Sequence, residues 1–156
     1  DETNELLDTG GGIKRAFNFL EEENSFVFNS DILWNDTHVE QLKNMSKKFQ
    51  IEKMNAMLGL SHINKLEGYE GSGDFYFINN ELIERYRQDK ENPYVYNGVQ
   101  IIKKYLLNSI SERVFSINKA WDIAIKSNTL YGFKLDDQIR HIGTPRMVER
   151  VNNEKN

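Results

Sequence analysis

Apolar residues along this chain form short continuous runs, separated by segments in which they recur at helical spacing. The runs predict buried strands at residues 25–32, 55–63, 74–78, 94–102 and 129–135. The helical spacing predicts helices at residues 13–20, 37–49, 103–111 and 117–127, and Pro145 suits the first turn of one more helix. Because strands and helices alternate, we expect an α/β fold with a mostly parallel sheet, helices on both faces and residues 25–31 near its centre.

The composition indicates one ordinary globular domain. The chain has 156 residues without an internal repeat or linker, so residues 1–156 are expected to form a single domain. Its 20 basic and 24 acidic residues form no basic stripe, which argues against a nucleic-acid partner. Cysteine is absent, and this excludes disulfides and thiolate chemistry. No apolar run could span a membrane and the acidic start is no signal peptide, so we expect a cytoplasmic protein.

A glycine-rich segment precedes the first predicted helix. Thr9 is followed by Gly10, Gly11 and Gly12, and three glycines let a ligand approach the backbone closely. The free N–H groups of a helix start can then face a phosphate, a ribose or the edge of a base. A flexible turn capped by Thr9 explains the same residues without a ligand. The segment is therefore a candidate binding loop, with a turn as the alternative.

A carboxylate follows the strand predicted at residues 25–32. Asn29-Ser30-Asp31 ends the apolar run, and a carboxylate at the end of a buried strand is well placed to hold Mg²⁺ against a phosphate. Asp31 is the candidate metal ligand, and a turn aspartate is the alternative. Asp36 competes for the role, although it lies in a segment that resembles a helix cap.

His141 is the one histidine that we single out, as a side chain able to touch phosphate or metal. His38 and His62 have no metal-ligand spacing with it, so we interpret them as structural. We interpret Trp34 and Trp121 as packing residues rather than stacking platforms.

Taken together, six stretches resemble the bacterial nucleotidyltransferases that join a sugar 1-phosphate to a nucleotide. The likeness is greatest to the group of N-acetylmuramate-1-phosphate uridylyltransferases and mannose-1-phosphate guanylyltransferases. The stretches are LDTGGGIKRA (7–16), FNSDILW (28–34), GSGDF (71–75), YNGVQI (96–101), FSINKAWD (115–122) and HIGTP (141–145). Each is weak alone, but all six occur in the family's order and cover nearly the whole chain.

The resemblance implies a Rossmann-like nucleotide-diphospho-sugar transferase fold and a Mg²⁺-dependent reaction. A nucleoside triphosphate and a sugar 1-phosphate would give a nucleotide sugar and pyrophosphate, for use in the cell envelope. By the same resemblance, Thr9, Gly10, Gly11 and Gly12 would bind the nucleotide. Asp31 would be the catalytic metal ligand, and Gly73, Asp74, Asn97 and Gly98 would line the sugar pocket. His141 would complete the metal or phosphate side, where many relatives carry Asp, a better Mg²⁺ ligand than imidazole.

The family opens with a strand and a glycine-rich loop that carries an essential Arg, followed by a Pro-Lys-Pro segment. These groups grip the triphosphate, and no counterpart precedes Leu7. We therefore expect the N-terminal part of the fold to be missing and the chain alone to be inactive. It would be a fragment, a remnant, or one product of a split gene that needs a complementary N-terminal chain. A module that binds a sugar nucleotide without catalysis is the alternative. A glycosyltransferase is a third possibility, but it fits the glycine segment and the Gly143-Thr144-Pro145 ending less well.

Overall fold

The computed structural model describes residue 3 and residues 5–66, 71–136, 140–142 and 144–154. Its helices are α1 (Asp8–Ala16), α2 (Asp36–Lys48), α3 (Lys104–Asn108), α4 (Ile117–Lys126) and α5 (Pro145–Glu154). Its strands are β1 (Asn24–Phe28), β2 (Ile32–Leu33), β3 (Ala56–His62), β4 (Phe75–Phe77), β5 (Ile83–Arg85), β6 (Tyr94–Lys103), β7 (Leu130–Lys134) and β8 (Arg140–His141). Short 3₁₀ turns follow α1 and β3. No helix in the described part of the chain has both the length and the apolarity needed to cross a membrane.

The long strand β6 organises the main sheet. On one side it pairs antiparallel with β3, and on the other it pairs antiparallel with β4 at its start and with β1 at its end. β3 pairs in parallel with β7, and β4 forms an antiparallel hairpin with β5. A bridge between Leu82 and Tyr131 joins the start of β5 to β7. Five strands thus curl into a nearly closed ring, and β1 extends from it as an edge.

The sheet is mixed and mostly antiparallel, so the prediction of a mostly parallel sheet was wrong. Among the described strands only β3 and β7 pair in parallel. The unit β1–α2–β3 does run as a helical crossover between two strands of the same direction. However, β6 is inserted between those strands and opposes both. The position predicted for β1 was also wrong, because β1 pairs with β6 alone within the described residues and lies at an edge.

Helices cover both faces of the sheet. On one face α1, α3 and α4 pack on a large core that includes Leu58, Ile102, Leu107 and Trp121. On the other face Met45 of α2 packs on Met57, Ile101 and their neighbours. The alternation of side chains along β3 and β6 explains the two cores, since successive residues of a strand point to opposite faces.

Candidate functional site

A cavity of about 370 Å³ lies between the N-terminal ends of α1 and α4 and the strands β4, β5 and β6. We call it the α1–α4 cavity. Its lining combines polar and aromatic side chains from six separate segments: Asp8, Thr9, Ile13, Asn29, Asp74, Phe75, Arg85, Tyr96, Gln100, Ser116, Ile117, Asn118 and Trp121. A cavity of this size with several convergent polar groups is typical of a small-molecule site.

The glycine-rich segment is helical, so its interpretation as a loop was wrong. α1 begins at Asp8 and contains all three glycines. The amides of Gly10 and Gly11 donate to the carbonyl oxygen of Phe115 at 2.9 and 3.1 Å. A Cβ atom on Gly10 would lie 2.4 Å from the Phe115 ring, and one on Gly11 would lie 2.3 Å from the Arg113 carbonyl oxygen. These two glycines are needed because the helix packs directly on residues 113–115.

This packing places Thr9 at the cavity. The Thr9 hydroxyl accepts a hydrogen bond from the amide of Ile117 at 3.0 Å and so caps the start of α4. Ser116 accepts from the Asn118 amide at the same helix end. Of the four residues expected at the nucleotide, Thr9 lines the cavity, Gly10 and Gly11 are buried against residues 113–115, and Gly12 is partly exposed.

The loop after β1 is held by two backbone bonds. The Asn29 amide donates to the Gly98 carbonyl oxygen at 2.7 Å, and the Asn29 side chain lines the cavity. Asp31 is partly buried, and its carbonyl oxygen accepts from the Ile142 amide at 2.7 Å. The small β2–β8 ladder pairs Ile32 with the backbone of His141. Asp31 therefore lies beside the chain at position 141, whose side chain lies outside the described part of the structure.

The residues that were expected to line the sugar pocket lie at or beside glycines with positive φ. Gly73 has φ +106°, a conformation that favours glycine, and packs on Pro93. The carboxylate of the following Asp74 accepts from the Tyr96 amide at 2.9 Å, which ties β4 to β6 at the cavity. Asn97 is 3% exposed and is not among the lining residues. Its amide group instead donates to the buried hydroxyl of Ser61.

Of the thirteen lining residues only Thr9 and Asp74 were among the predicted site residues, and most of the other eleven lie inside strands or helices rather than at turns. Arg85 donates from Nε to Asp122 at 2.9 Å and from Nη2 to the Asn118 side chain at 2.9 Å. Its guanidinium lies 4.9 Å from the Phe75 ring centre. The Trp121 indole donates to Gln100 at 2.9 Å. The stretches at residues 96–101 and 115–122 were signals for Tyr96, Gln100 and Trp121, whereas Arg85 had no signal of its own.

Tyr96 gives the cavity a buried phenol. Burial raises the pKa of its hydroxyl, and the nearby Gln100 side chain partly offsets that rise. The Tyr96 ring packs edge-on against Trp121, with ring centres 4.8 Å apart. The hydroxyl has no well-aligned hydrogen bond to a described residue. Tyr96 is therefore a neutral donor at physiological pH.

The residues that could hold a metal are few. The described part of the chain contains no group of three His, Cys, Asp or Glu side chains close enough to bind an ion. Asp31 nevertheless has the oxygen chemistry that Mg²⁺ prefers, and Mg²⁺ needs only one or two carboxylates when phosphate oxygens complete its shell. Asp36 is less suitable, because Asn35 caps α2 and Asp36 is exposed in the first turn of that helix.

Comparison with known proteins supports the resemblance. No family model matches the chain. The N-acetylmuramate alpha-1-phosphate uridylyltransferase of Caulobacter vibrioides is 27% identical over 146 residues, which are 94% of this chain and 60% of that protein. The chain thus spans about 60% of the length of this relative.

Solved structures show the same fold. HddC from Yersinia pseudotuberculosis, in complex with GMP-PN, superposes with a TM-score of 0.68 at 16% identity. The superposition covers 98% of this chain and 64% of the HddC chain. UDP-glucose pyrophosphorylase from Acinetobacter baumanii gives a TM-score of 0.70 at 13% identity, over 94% of this chain and 55% of its own. By sequence, the chain is therefore a distant, partial-length match to the sugar-1-phosphate nucleotidyltransferase family, and the solved structures show that it shares the fold of these proteins.

Proposed function

We propose that this chain supplies the sugar-nucleotide-binding part of a sugar-1-phosphate nucleotidyltransferase. In that reaction an oxygen of the sugar 1-phosphate attacks the α-phosphorus of a nucleoside triphosphate. The bond from the α-phosphorus to the bridging oxygen breaks, and pyrophosphate leaves. The observation that carries the proposal is the meeting of residues from five of the six family-like stretches around one cavity. Proteins catalyse such transfers mainly by positioning the reactants and neutralising charge.

The lining of the α1–α4 cavity suits a sugar with hydroxyl and amide groups. Asn29, Asp74 and Gln100 offer amide and carboxylate groups, and the Tyr96 side chain forms part of the wall. The Trp121 ring adds an apolar wall. The relative from Caulobacter acts on N-acetylmuramate α-1-phosphate. We propose that class of N-acetylated sugar for this chain, with uridine as the nucleoside and guanosine as the second candidate.

Phosphate binding requires more than the described residues provide. Arg85 is the one cation among the described residues that line the cavity, and it is already paired with Asp122. When bound, Mg²⁺ would neutralise part of the phosphate charge, and Asp31 is the residue that we propose to hold it. We propose that further cationic groups come from a polypeptide segment that completes the fold, in the same protein or in a complementary chain. A module that binds sugar nucleotide without catalysis is the second candidate, favoured by this shortage of cations.

Binding of a nucleotide sugar tests the proposal directly. Trp121 lines the cavity, so a Trp34→Phe variant reports binding through the remaining indole. We expect saturable fluorescence changes with UDP-N-acetylmuramic acid and weaker ones with GDP-mannose. A Trp121→Phe variant that keeps Trp34 is the matched control and should show little change. Absence of saturable binding to any nucleotide sugar, by fluorescence and by calorimetry, would contradict the proposal.

A further inference from the structure

A chain of hydrogen bonds crosses the core between β3, β6 and the end of β7. Ser61 is fully buried and Asn97 is 3% exposed. The Asn97 side-chain amide donates to the Ser61 hydroxyl oxygen, and the Ser61 hydroxyl donates to the carbonyl oxygen of Leu135 at 3.3 Å. The candidate site described above uses neither Ser61 nor Leu135.

The donors and acceptors in this series of hydrogen bonds allow only one arrangement of protons. A carbonyl oxygen only accepts, so the single Ser61 proton is committed to Leu135. The Ser61 oxygen is then left as an acceptor, and Asn97 must turn its NH₂ group rather than its carbonyl toward it. A buried polar group without its partner is costly, so the orientation of Asn97 depends on the Ser61 hydroxyl.

The residues around Asn97 in β6 are not paired with β3 in the regular register of the ladder. Along the β3–β6 ladder, Leu58 pairs with Gln100 and Leu60 pairs with Tyr96. Residues 97–99 therefore face Gly59 alone, and the strand bulges. Gly98 has φ +72° within this bulge. The side-chain bond between Ser61 and Asn97 takes the place of the missing ladder bonds on this side of β6.

The bulge is in direct contact with the candidate site. The Gly98 carbonyl oxygen accepts the Asn29 amide at 2.7 Å, and a Cβ atom on Gly98 would lie 2.9 Å from the Asn29 Cβ atom. Asn29 lines the α1–α4 cavity, and Asp31 follows two residues later. A shift of the bulge therefore moves a lining residue.

We propose that Ser61 is a positioning residue for the α1–α4 cavity, acting through Asn97 and Gly98 on Asn29. The inference rests on the proposed function for its ligand, but its geometry is independent of that function. Ser61 touches no substrate; it holds the bulge that sets the loop after β1.

The test compares two hydroxyl deletions. Ser61→Ala removes the acceptor of Asn97. Thr129→Val removes the hydroxyl that accepts the Asn55 side chain at 3.0 Å, at the opposite end of the β3–β7 pair. Both variants lose a hydrogen bond from an asparagine amide, so both should lower the melting temperature. Ser61→Thr keeps a hydroxyl and serves as the rescue variant.

We expect Ser61→Ala to weaken binding of UDP-N-acetylmuramic acid about tenfold, as small displacements of binding groups do. Thr129→Val should leave affinity within about twofold of the parent, and Ser61→Thr should recover most of the loss. In ¹H–¹⁵N spectra without ligand, the Asn29 and Gly98 amide signals should move in Ser61→Ala and stay in place in Thr129→Val. If both signals stay in place in Ser61→Ala, the positioning role is wrong, whether or not any nucleotide sugar binds. If the parent protein binds no nucleotide sugar while these signals do move, the proposed function fails and the positioning role stands.

Discussion

Individual residues of the six family-like stretches have different physical roles. Thr9 and Asp74 line the cavity and also join secondary-structure elements through their side chains. Gly10 and Gly11 instead permit close contact between a helix and residues 113–115. A motif thus mixes residues that line the cavity with residues that place them, and only the structure separates the two.

Gly10→Ala tests the packing role. A Cβ atom at this position would lie 2.4 Å from the Phe115 ring, so α1 must move away. We expect a loss of about 1–3 kcal/mol in the free energy of unfolding, measured by urea denaturation, as for other overpacked sites. Gly12→Ala is the matched control. Gly12 is partly exposed on the same helix, and alanine there should be neutral or stabilising through helix propensity. Equal losses for the two variants would contradict this explanation.

Asp31→Asn tests the proposed metal ligand. The substitution keeps the shape of the side chain and removes the charge that attracts Mg²⁺. In a protein that also carries the proposed phosphate-binding segment, we expect Mg²⁺-dependent turnover to fall about 10²-fold or more, with an unchanged melting temperature. Asp36→Asn is the control and should keep its activity, because Asp36 is exposed in the first turn of α2. Full turnover of Asp31→Asn at saturating Mg²⁺ would assign the metal to another residue.

Because of Tyr96, we expect the stability of the folded protein to depend on pH in the alkaline range. Burial raises the pKa of Tyr96 above its ordinary value of 10.0 in the folded protein. The folded state therefore keeps a proton that the unfolded state loses, and stability is full below pH 10 and declines as the pH rises above it. We expect the melting temperature of Tyr96→Phe to fall less between pH 9 and pH 11 than that of the parent. Tyr105→Phe, at a residue that is 69% exposed, should follow the parent curve.

Between elements, Arg85 is the main polar connection from β5 to α4. It bonds to Asp122 and Asn118 and lies over the rings of Phe75 and Trp121. Planar guanidinium geometry allows all these contacts at once, which an ammonium group cannot reproduce. Arg85 therefore ties the α4 wall of the cavity to β5, while Thr9 and Gln100 hold the same wall from α1 and β6.

Arg85→Lys keeps the charge and loses that geometry. We expect binding of a nucleotide sugar to weaken several-fold and the melting temperature to fall by a few degrees, because α4 is held less firmly. Arg87→Lys is the matched control two residues away, where the guanidinium pairs with the exposed Asp89. If Arg87→Lys weakens binding as much as Arg85→Lys, the effect is one of general charge and not of the contact with α4.

The order and type of most elements could be predicted from the sequence, because apolar spacing reports directly on strand and helix. The two faces of the sheet were also predictable. The direction of pairing was not, since the β1–α2–β3 pattern is the same whether or not another strand is inserted between β1 and β3. The helical state of Gly10 and Gly11 was hidden as well. Glycine normally weakens a helix, and the compensating contact is with Phe115, more than 100 residues away.

The residues of the candidate site also fall into some that could be predicted from the sequence and others that could not. Asp74, which lies beside a glycine turn, was accessible to sequence reasoning because turns carry recognisable residues. Arg85 and Gln100 lie within strands, where polar residues usually signify a solvent-facing side. They reach the cavity through contacts with α4, and nothing local in the sequence around them encodes those contacts.

At the scale of the whole molecule, the described cationic side chains lie mostly away from the α1–α4 cavity. Lys14 and Arg15 line a separate cavity of about 350 Å³ together with Gly11 and Arg113. Lys14 donates there to the carbonyl oxygen of Ile110. Among the described residues, the α1–α4 cavity retains Arg85 alone as a cation.

We therefore expect residues 1–156, purified alone, to release no pyrophosphate from UTP or GTP with any of several sugar 1-phosphates and Mg²⁺. Losing a charge clamp costs about 10³-fold or more in such transfers. Addition of a glycine-rich segment that carries Arg and Pro-Lys-Pro, in the same chain or as a separate one, should restore turnover. Robust turnover by the isolated monomer would show that Lys14, Arg15 or Arg85 serves the phosphates after all.

The insertion of β6 between β1 and β3 also sets the order in which the protein can be completed during synthesis. Phe26 pairs with Ile101, and Met57 pairs with the same residue from the other side. Until the ribosome has made β6, β1 and β3 have no strand between them, and the backbone hydrogen-bonding groups on the edges that face β6 have no strand partner. Contacts that join such distant parts of a chain form slowly. A nascent chain arrested before β6 would therefore be the form of this protein most exposed to chaperones and proteases.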